Sequence, residues 1–514
     1  MHQKELRIAL VCYGGVSLAV YMHGVTKELW HLARASRAFH AGDELSGGVA
    51  GVYRRLLAHI EEHRGTRLRV LPDILSGASA GGINAVFLSQ AIYAGHSLEP
   101  LTELWLENAD VDRLLDPDAR PVWKFAKFWA QPIAWWLFRR PGNVVSESVA
   151  PETRSEVRRK VSRFIRGRWF EPPFSGENFS QLLFDALAAM REGERGPPLL
   201  PPHYPLDLFV TTTDFRGHVE LLRLNSPPVV EESEHRLPIH FRGQAPQSTA
   251  EGLANPLELT LAARATASFP GAFPALELAE IDRLGERRGQ DWASRDAFLQ
   301  RIMPVHQHRG TTDQVALIDG SVLVNAPFEG AIAALHGRPV QREVDRRFVY
   351  IDPRPDRIAT IKDGDTRPVG FFAAIFGSIS ALPREQPIRD NLEQLERQSR
   401  DAARLQRIVA RLRPEVDRAV EKLFGRTFFL DSPTPGRLAS WRAKAQQAAA
   451  ERAGYAFHSY AQAKFIGIIE RLAQLAHDAA PHLGLTDCRP IEHALRLELE
   501  KRGLESLSDP SGGA

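Results

Sequence analysis

The stretch Asp73-Ile74-Leu75-Ser76-Gly77-Ala78-Ser79-Ala80-Gly81-Gly82-Ile83-Asn84-Ala85 limits what this chain can fold into more than any other. Residues 70–75 read as the end of an apolar strand and residues 83–90 as the start of a helix. Between them Gly77, Ala78, Ser79, Ala80 and Gly81 fit G-x-S-x-G, so the spacing predicts strand, tight turn with serine, helix. Glycine suits both flanks of Ser79 because a Cβ would clash in so cramped a turn. The hydroxyl then sits at a helix N-terminus, where free N–H groups and the positive dipole end favour a developing negative charge. Glycine-rich strand-to-helix turns without chemistry carry the same letters, so other stretches must decide.

At 514 residues the chain has room for one large domain plus an addition, or for two domains. A net charge of +2 gives no argument for nucleic acid as a partner. Cys12 and Cys488 are the only cysteines, which leaves no disulfide framework and no cysteine zinc site. No secretory leader pattern precedes the short apolar run 8–12, and no run reaches the roughly 20 apolar residues of a spanning helix. The expected location is cytoplasmic, with peripheral contact at a membrane surface.

In chain order, residues 6–12 read as a buried parallel strand. Tyr13-Gly14-Gly15-Val16-Ser17 forms its turn, and a helix follows through Leu32. Amides in such a turn point outward and suit an oxyanion hole, where one good donor contributes about 3 kcal/mol to the transition state. His23 on that helix reads as structural rather than as a base. Five of the nine tryptophans fall between Trp105 and Trp136, edged by Arg139 and Arg140, and residues 105–200 read as an aromatic-rich insertion. Such a segment suits a lid at a lipid–water interface, and packed core aromatics would read the same way.

Residues 206–214 read as a strand delivering Asp214 to its end, with residues 217–224 as a hairpin-like return. Residues 257–267 form a small-residue helix that stops at Phe269-Pro270-Gly271. Residues 315–319 are an apolar strand that delivers Asp319, with Gly320 turning the chain and Asn325-Ala326-Pro327 leading into a helix. Functional groups of open α/β sheets gather outside the strand carboxyl ends, which is where Ser79 and Asp319 both belong. A further strand covers 347–352. Helices are expected at 371–382, 388–412, 416–424, 438–452 and 461–476, and the tail 506–514 is small and polar.

With these residues together, the sequence resembles the patatin-like phospholipases, a family of lipid acyl hydrolases, over roughly residues 6–355. The resemblance rests on Gly14-Gly15, the Gly77–Gly82 elbow, Thr212-Thr213-Asp214, Ala267-Ser268-Phe269-Pro270-Gly271, and Asp319-Gly320-Ser321 with Asn325-Ala326-Pro327. It implies a three-layer α/β/α sandwich with a mostly parallel central sheet in a domain over 1–365, a helical C-terminal region over 366–505, and a tail over 506–514. It also implies a Ser79–Asp319 dyad that cleaves glycerolipid esters through an acyl-enzyme. Amides around Gly14, Gly15 and Val16 would form the oxyanion hole, and no cofactor or metal is needed. The glycine turn departs from the family's richer G-G-G-x-R-G, and it looks like that of a bacterial subgroup with an extra helical C-terminal part. Asp214 is the second-choice carboxylate. Two rival readings stand: a Ser–Asp–His esterase drawing on His336 or His458, and a catalytically silent lipid-binding protein on the same fold.

Overall fold

β1 (His2–Cys12) enters polar and is buried without interruption from Arg7 to Cys12. Burial on both faces marks a strand in the middle of a covered parallel sheet. The computed structural model describes residues 2–14, 19–45, 47–108, 174–222, 230–247, 252–270, 272–324, 327–335, 338–340, 342–352, 382–425, 434–480, 485 and 488–502. After β1 come α1 (Ala19–Ala41), α2 (Gly48–Arg64), β2 (Thr66–Gly77), α3 (Ala80–Ala94), α4 (Glu99–Asn108) and α5 (Gly176–Glu192). There follow β3 (Pro205–Val210), β4 (Thr212–Leu222), β5 (Val230–Arg236), β6 (Ile239–Gln244), α6 (Pro256–Thr266), α7 (Leu278–Arg288), α8 (Arg295–Ile302) and α9 (Pro304–Arg309). β7 (Leu317–Asp319), α10 (Phe328–Ala333) and β8 (Glu343–Ile351) complete the α/β part.

The central sheet has the order β6-β3-β2-β1-β8. β8, β1, β2 and β3 are parallel, and β6 closes one edge antiparallel to β3. On one face Leu10, Cys12, Leu75, Leu208 and Val210 join Phe87 and Leu88 of α3 and Leu257 and Leu261 of α6 in the main core. Ile8 and Val70 meet Phe39 of α1 and Leu57 of α2 beside it. α10 packs on β1 and β2, and the Phe328 ring lies 5.3 Å from that of Tyr350. The expected three-layer α/β/α sandwich with a mostly parallel sheet is therefore present. Beneath it, two buried carboxylates stitch the strands together. Asp73 accepts from Arg346 at 2.9 Å, Asp207 pairs with Arg338, and His240 Nε2 lies 2.6 Å from Asp207.

A second sheet, β5-β4-β7, is antiparallel throughout. Here the structure departs from the expected single strand over 206–214 with a return at 217–224. The chain breaks at Thr211, whose N–H donates to Gly77 O at 3.1 Å. β4 then leaves the central sheet and runs through residue 222, and its return partner is β5. The reason is tertiary: Thr211 is held by the serine turn rather than by a hairpin of its own.

The chain divides into two compact units, Met1–Gln394 and Leu395–Ala514. The second is helical, with the later part of α11 (Leu382–Phe424), then α12 (Pro435–Ala453), α13 (Tyr455–Ala479) and α14 (Arg489–Lys501). α11 is one helix through Pro414, where two were expected; Pro414 is solvent-exposed, so water can satisfy the carbonyl that proline leaves unpaired. No helix among the described residues is long and apolar enough to cross a membrane. The expected boundary near 365, the 371–376 segment, Trp123 to Trp136 and the tail lie outside the described residues.

Two histidines in the first unit are kept neutral. Burial first, then Lys27, lowers the His23 pKa to about 4, with its Nε2 3.1 Å from Thr102 Oγ1. Burial first, then Arg195, lowers His96 to about 4. The unfolded chain takes up these protons near pH 6.5 and the folded chain does not, so acid favours unfolding in the window between. Stability of the first unit should fall by about 2 kcal/mol per histidine as pH drops from 6.5 to 4. Urea unfolding at stepped pH checks this, and His23→Gln should flatten the slope by that amount.

Candidate active site

The G-x-S-x-G stretch forms the expected elbow between β2 and α3, with Ser79 as the N-cap of α3. Ser79 has φ 52° and ψ −128°. A non-glycine residue held there costs on the order of 1–3 kcal/mol, a strain that surrounding structure must impose. The flanking glycines answer a different need, close approach. A Cβ on Gly77 would lie 2.5 Å from Gly81 O, and one on Gly81 would lie 2.5 Å from Tyr13 O and 2.7 Å from Cys12 Cβ. The end of β1 thus presses directly against the serine turn, and Ala78 N–H donates to Cys12 O at 3.3 Å. Ser79 is 1% exposed, and its Oγ makes no hydrogen bond among the described residues.

Asp319 ends β7 and is fully buried. Its Oδ1 accepts from Ser321 N–H at 2.8 Å, which fixes the carboxylate against the short turn that follows. β7 pairs with β4, Thr212 opposite Asp319, and Thr213 Oγ1 donates to Asp319 O at 3.3 Å. Gly320 is needed because a Cβ would collide with Thr211 O and Oγ1. This is the same Thr211 whose N–H reaches Gly77 in the elbow. Two stretches 240 residues apart therefore meet on one threonine.

The end of α6 joins them a second time. Ser79 N–H donates to Thr266 Oγ1 at 2.8 Å, and Asp319 N–H donates to Ser268 O at 3.0 Å. Arg264, one turn back and fully buried, donates to Ser268 Oγ, to Glu280 Oε1 at 3.1 Å and to Pro274 O at 3.1 Å. Its guanidinium lies over the rings of Phe179 and Phe273. The sequence reads α6 as a helix closing against a pocket, with no chemistry of its own. The available signals were an arginine inside an otherwise small and apolar helix, and hydroxyls two residues apart at its end.

Of the expected oxyanion turn, Gly14 follows β1 and is buried, while Gly15 and Val16 lie outside the described residues. Asp214 is engaged elsewhere: its Oδ1 accepts from Arg216 N–H at 3.1 Å, and its Oδ2 lies 2.9 Å from His306 Nε2. Of the histidines in the rival triad, His336 is outside the described residues and His458 belongs to the second unit, its side chain not described. Cys12 is core, its thiol pushed up to about 12 by burial.

The chain is thus a three-layer α/β/α sandwich whose second strand ends in a strained G-x-S-x-G elbow. A patatin-like phospholipase profile matches residues 10–332, and the chain belongs to that family. It is 24% identical over 440 residues to the uncharacterized membrane protein Rv3479 of Mycobacterium tuberculosis (strain ATCC 25618 / H37Rv). That match covers 80% of this chain and 34% of the relative, so the chain spans about a third of that protein's length. No solved structure matches the chain.

Thr266→Val keeps the shape of the strap and removes the acceptor for Ser79 N–H. A buried N–H without a partner costs about 1–3 kcal/mol. Urea unfolding of the first unit should show a loss of that size, and Thr266→Ser should recover most of it.

Proposed function

We propose that this protein is a lipid acyl hydrolase in which Ser79 attacks a glycerolipid ester and Asp319 is the base. The observation that carries this reading is the shared strap: Thr266 and Ser268, two residues apart, hold the backbones of Ser79 and Asp319. In the proposed reaction Asp319 accepts the Ser79 hydroxyl proton as Oγ bonds to the ester carbonyl carbon. The carbonyl oxygen takes the negative charge and is stabilised by amides of the turn beginning at Gly14 and by the N-terminal dipole of α3. The bond to the lysolipid or alcohol oxygen breaks, and that oxygen takes the proton from Asp319. Asp319 then removes a proton from water as it attacks the acyl-enzyme; the acyl–Oγ bond breaks, Asp319 returns the proton to Ser79 Oγ, and the fatty acid is freed. Substrate of this kind sits in bilayers or micelles, so peripheral contact with a lipid surface is part of the proposal.

The test is fatty-acid release from phospholipid vesicles. Ser79→Ala and Asp319→Asn should each lower turnover by about a thousandfold, with circular dichroism spectra matching the parent. A fluorophosphonate should label the parent at Ser79. Full turnover in either variant refutes the dyad; a folded parent that neither labels nor turns over supports the silent-scaffold reading instead.

A further inference from the structure

Apart from the serine site, β4 carries a local distortion that gathers metal-type donors. Thr213 pairs with Arg236 and His218 with Glu234, so residues 214–217 bulge out against His235 alone. In a regular strand residues four apart are separated by about 13 Å. The bulge instead brings His218 Nδ1 to 3.9 Å from Asp214 Oδ2. Gly217, at φ +73°, makes this possible: a Cβ there would lie 2.7 Å from the His235 ring, whose Nδ1 sits 2.8 Å from Asp214 O. From the other side, α9 presents His306, with Nε2 2.9 Å from the same Asp214 Oδ2. The rings of His218 and His306 meet edge-on at 5.6 Å.

We propose that Asp214, His218 and His306 form a three-ligand site for a divalent transition-metal ion of the Zn²⁺ class. Their donor atoms, two imidazole nitrogens and one carboxylate oxygen, all lie within 4.8 Å of one another. Asp214 is fully buried, and the inward-facing His218 Nδ1 is buried without a hydrogen bond to any described residue. A gap of 3.9 Å is too long for a hydrogen bond between these two atoms. It suits two ligands on one ion: tetrahedral bonds of about 2.0–2.1 Å separate ligand atoms by roughly 3.4 Å. The observed 2.9 and 3.9 Å bracket that value. His306 also has the outer partner that metal-bound imidazoles use, since its Nδ1 lies 3.0 Å from Thr311 Oγ1. With the ion bound, the neutral His306 ring would carry its one proton on Nδ1, donating to the Thr311 hydroxyl, and leave the Nε2 lone pair for the ion. Both histidines line a cavity of about 580 Å³, shared with Thr212, Glu220 and Met303, which gives a water or a small ligand room to supply the fourth donor. The ion would clamp α9 to β4, the strand that pairs with Asp319.

A second donor set, His59, Glu62 and His63, lies exposed on α2 and has to be removed from the test. The experiment therefore uses the full chain carrying His59→Ala and His63→Ala, stripped with a chelator and titrated with Co²⁺. One equivalent should bind, with visible absorption from a low-coordinate nitrogen and oxygen site and a rise in melting temperature. His218→Ala should weaken Co²⁺ binding by at least about a hundredfold and Thr311→Val by about tenfold. Metal-free His218→Ala should lose only the packing of its ring on His306 in melting temperature, because His218 Nδ1 makes no hydrogen bond to lose, whereas the metal-induced rise should vanish. If His218→Ala proves unstable, the Thr311→Val titration decides alone. The site is refuted if the exposed-set variant binds no Co²⁺, or if His218→Ala or Thr311→Val binds it as tightly as the parent.

Discussion

The arrangement of this molecule depends on one short turn at the end of α6, where Thr266 Oγ1 receives Ser79 N–H and Ser268 O receives Asp319 N–H. Both bonds are buried, so neither donor can be satisfied by water if the turn moves. That makes the turn an obligatory fastening rather than an optional contact. Its rigidity is built from behind by Arg264, a buried cation that bonds Ser268 Oγ, Glu280 and the Pro274 carbonyl, with two aromatic faces beside it. Burial lowers the Arg264 pKa and Glu280 opposes that change.

The elbow shows how steric space and backbone strain are divided. Strain resides in Ser79, the one non-glycine residue of the turn with a positive φ. Space comes from Gly77, Gly81 and Gly320, whose missing Cβ atoms let the end of β1 press on the elbow and the turn after β7 press on Thr211. Each glycine is matched to a specific neighbour on another element. The turn is therefore held at once by the end of β1, by Thr211 and by α6, and a locally unfavourable conformation persists because all of them would have to move to relieve it.

Asp214 illustrates why strand-end position alone does not define a role. It lies two residues beyond Thr212, which pairs with Asp319, and on sequence grounds it was the second-choice carboxylate. The bulge at 214–217 directs its side chain to His218 and His306 instead. A period-2 reading of residues 206–224 contains no sign of that bulge, because Gly217 reads equally well as a hairpin turn.

What the sequence determined by itself was local: the elbow letters, the buried strand 6–12, the strand delivering Asp319, and the order of motifs that marks the family. These follow from short-range sterics and from apolar periodicity, and both are written in consecutive residues. The break at Thr211, the Arg264 strap, the Asp214–His218–His306 grouping and the continuous α11 were decided only by the tertiary structure. Each depends on partners dozens or hundreds of residues away, or on whether a position such as Pro414 faces water. A threonine reads the same whether its hydroxyl meets solvent or the amide of a serine 187 positions earlier, and only the packed chain distinguishes the two.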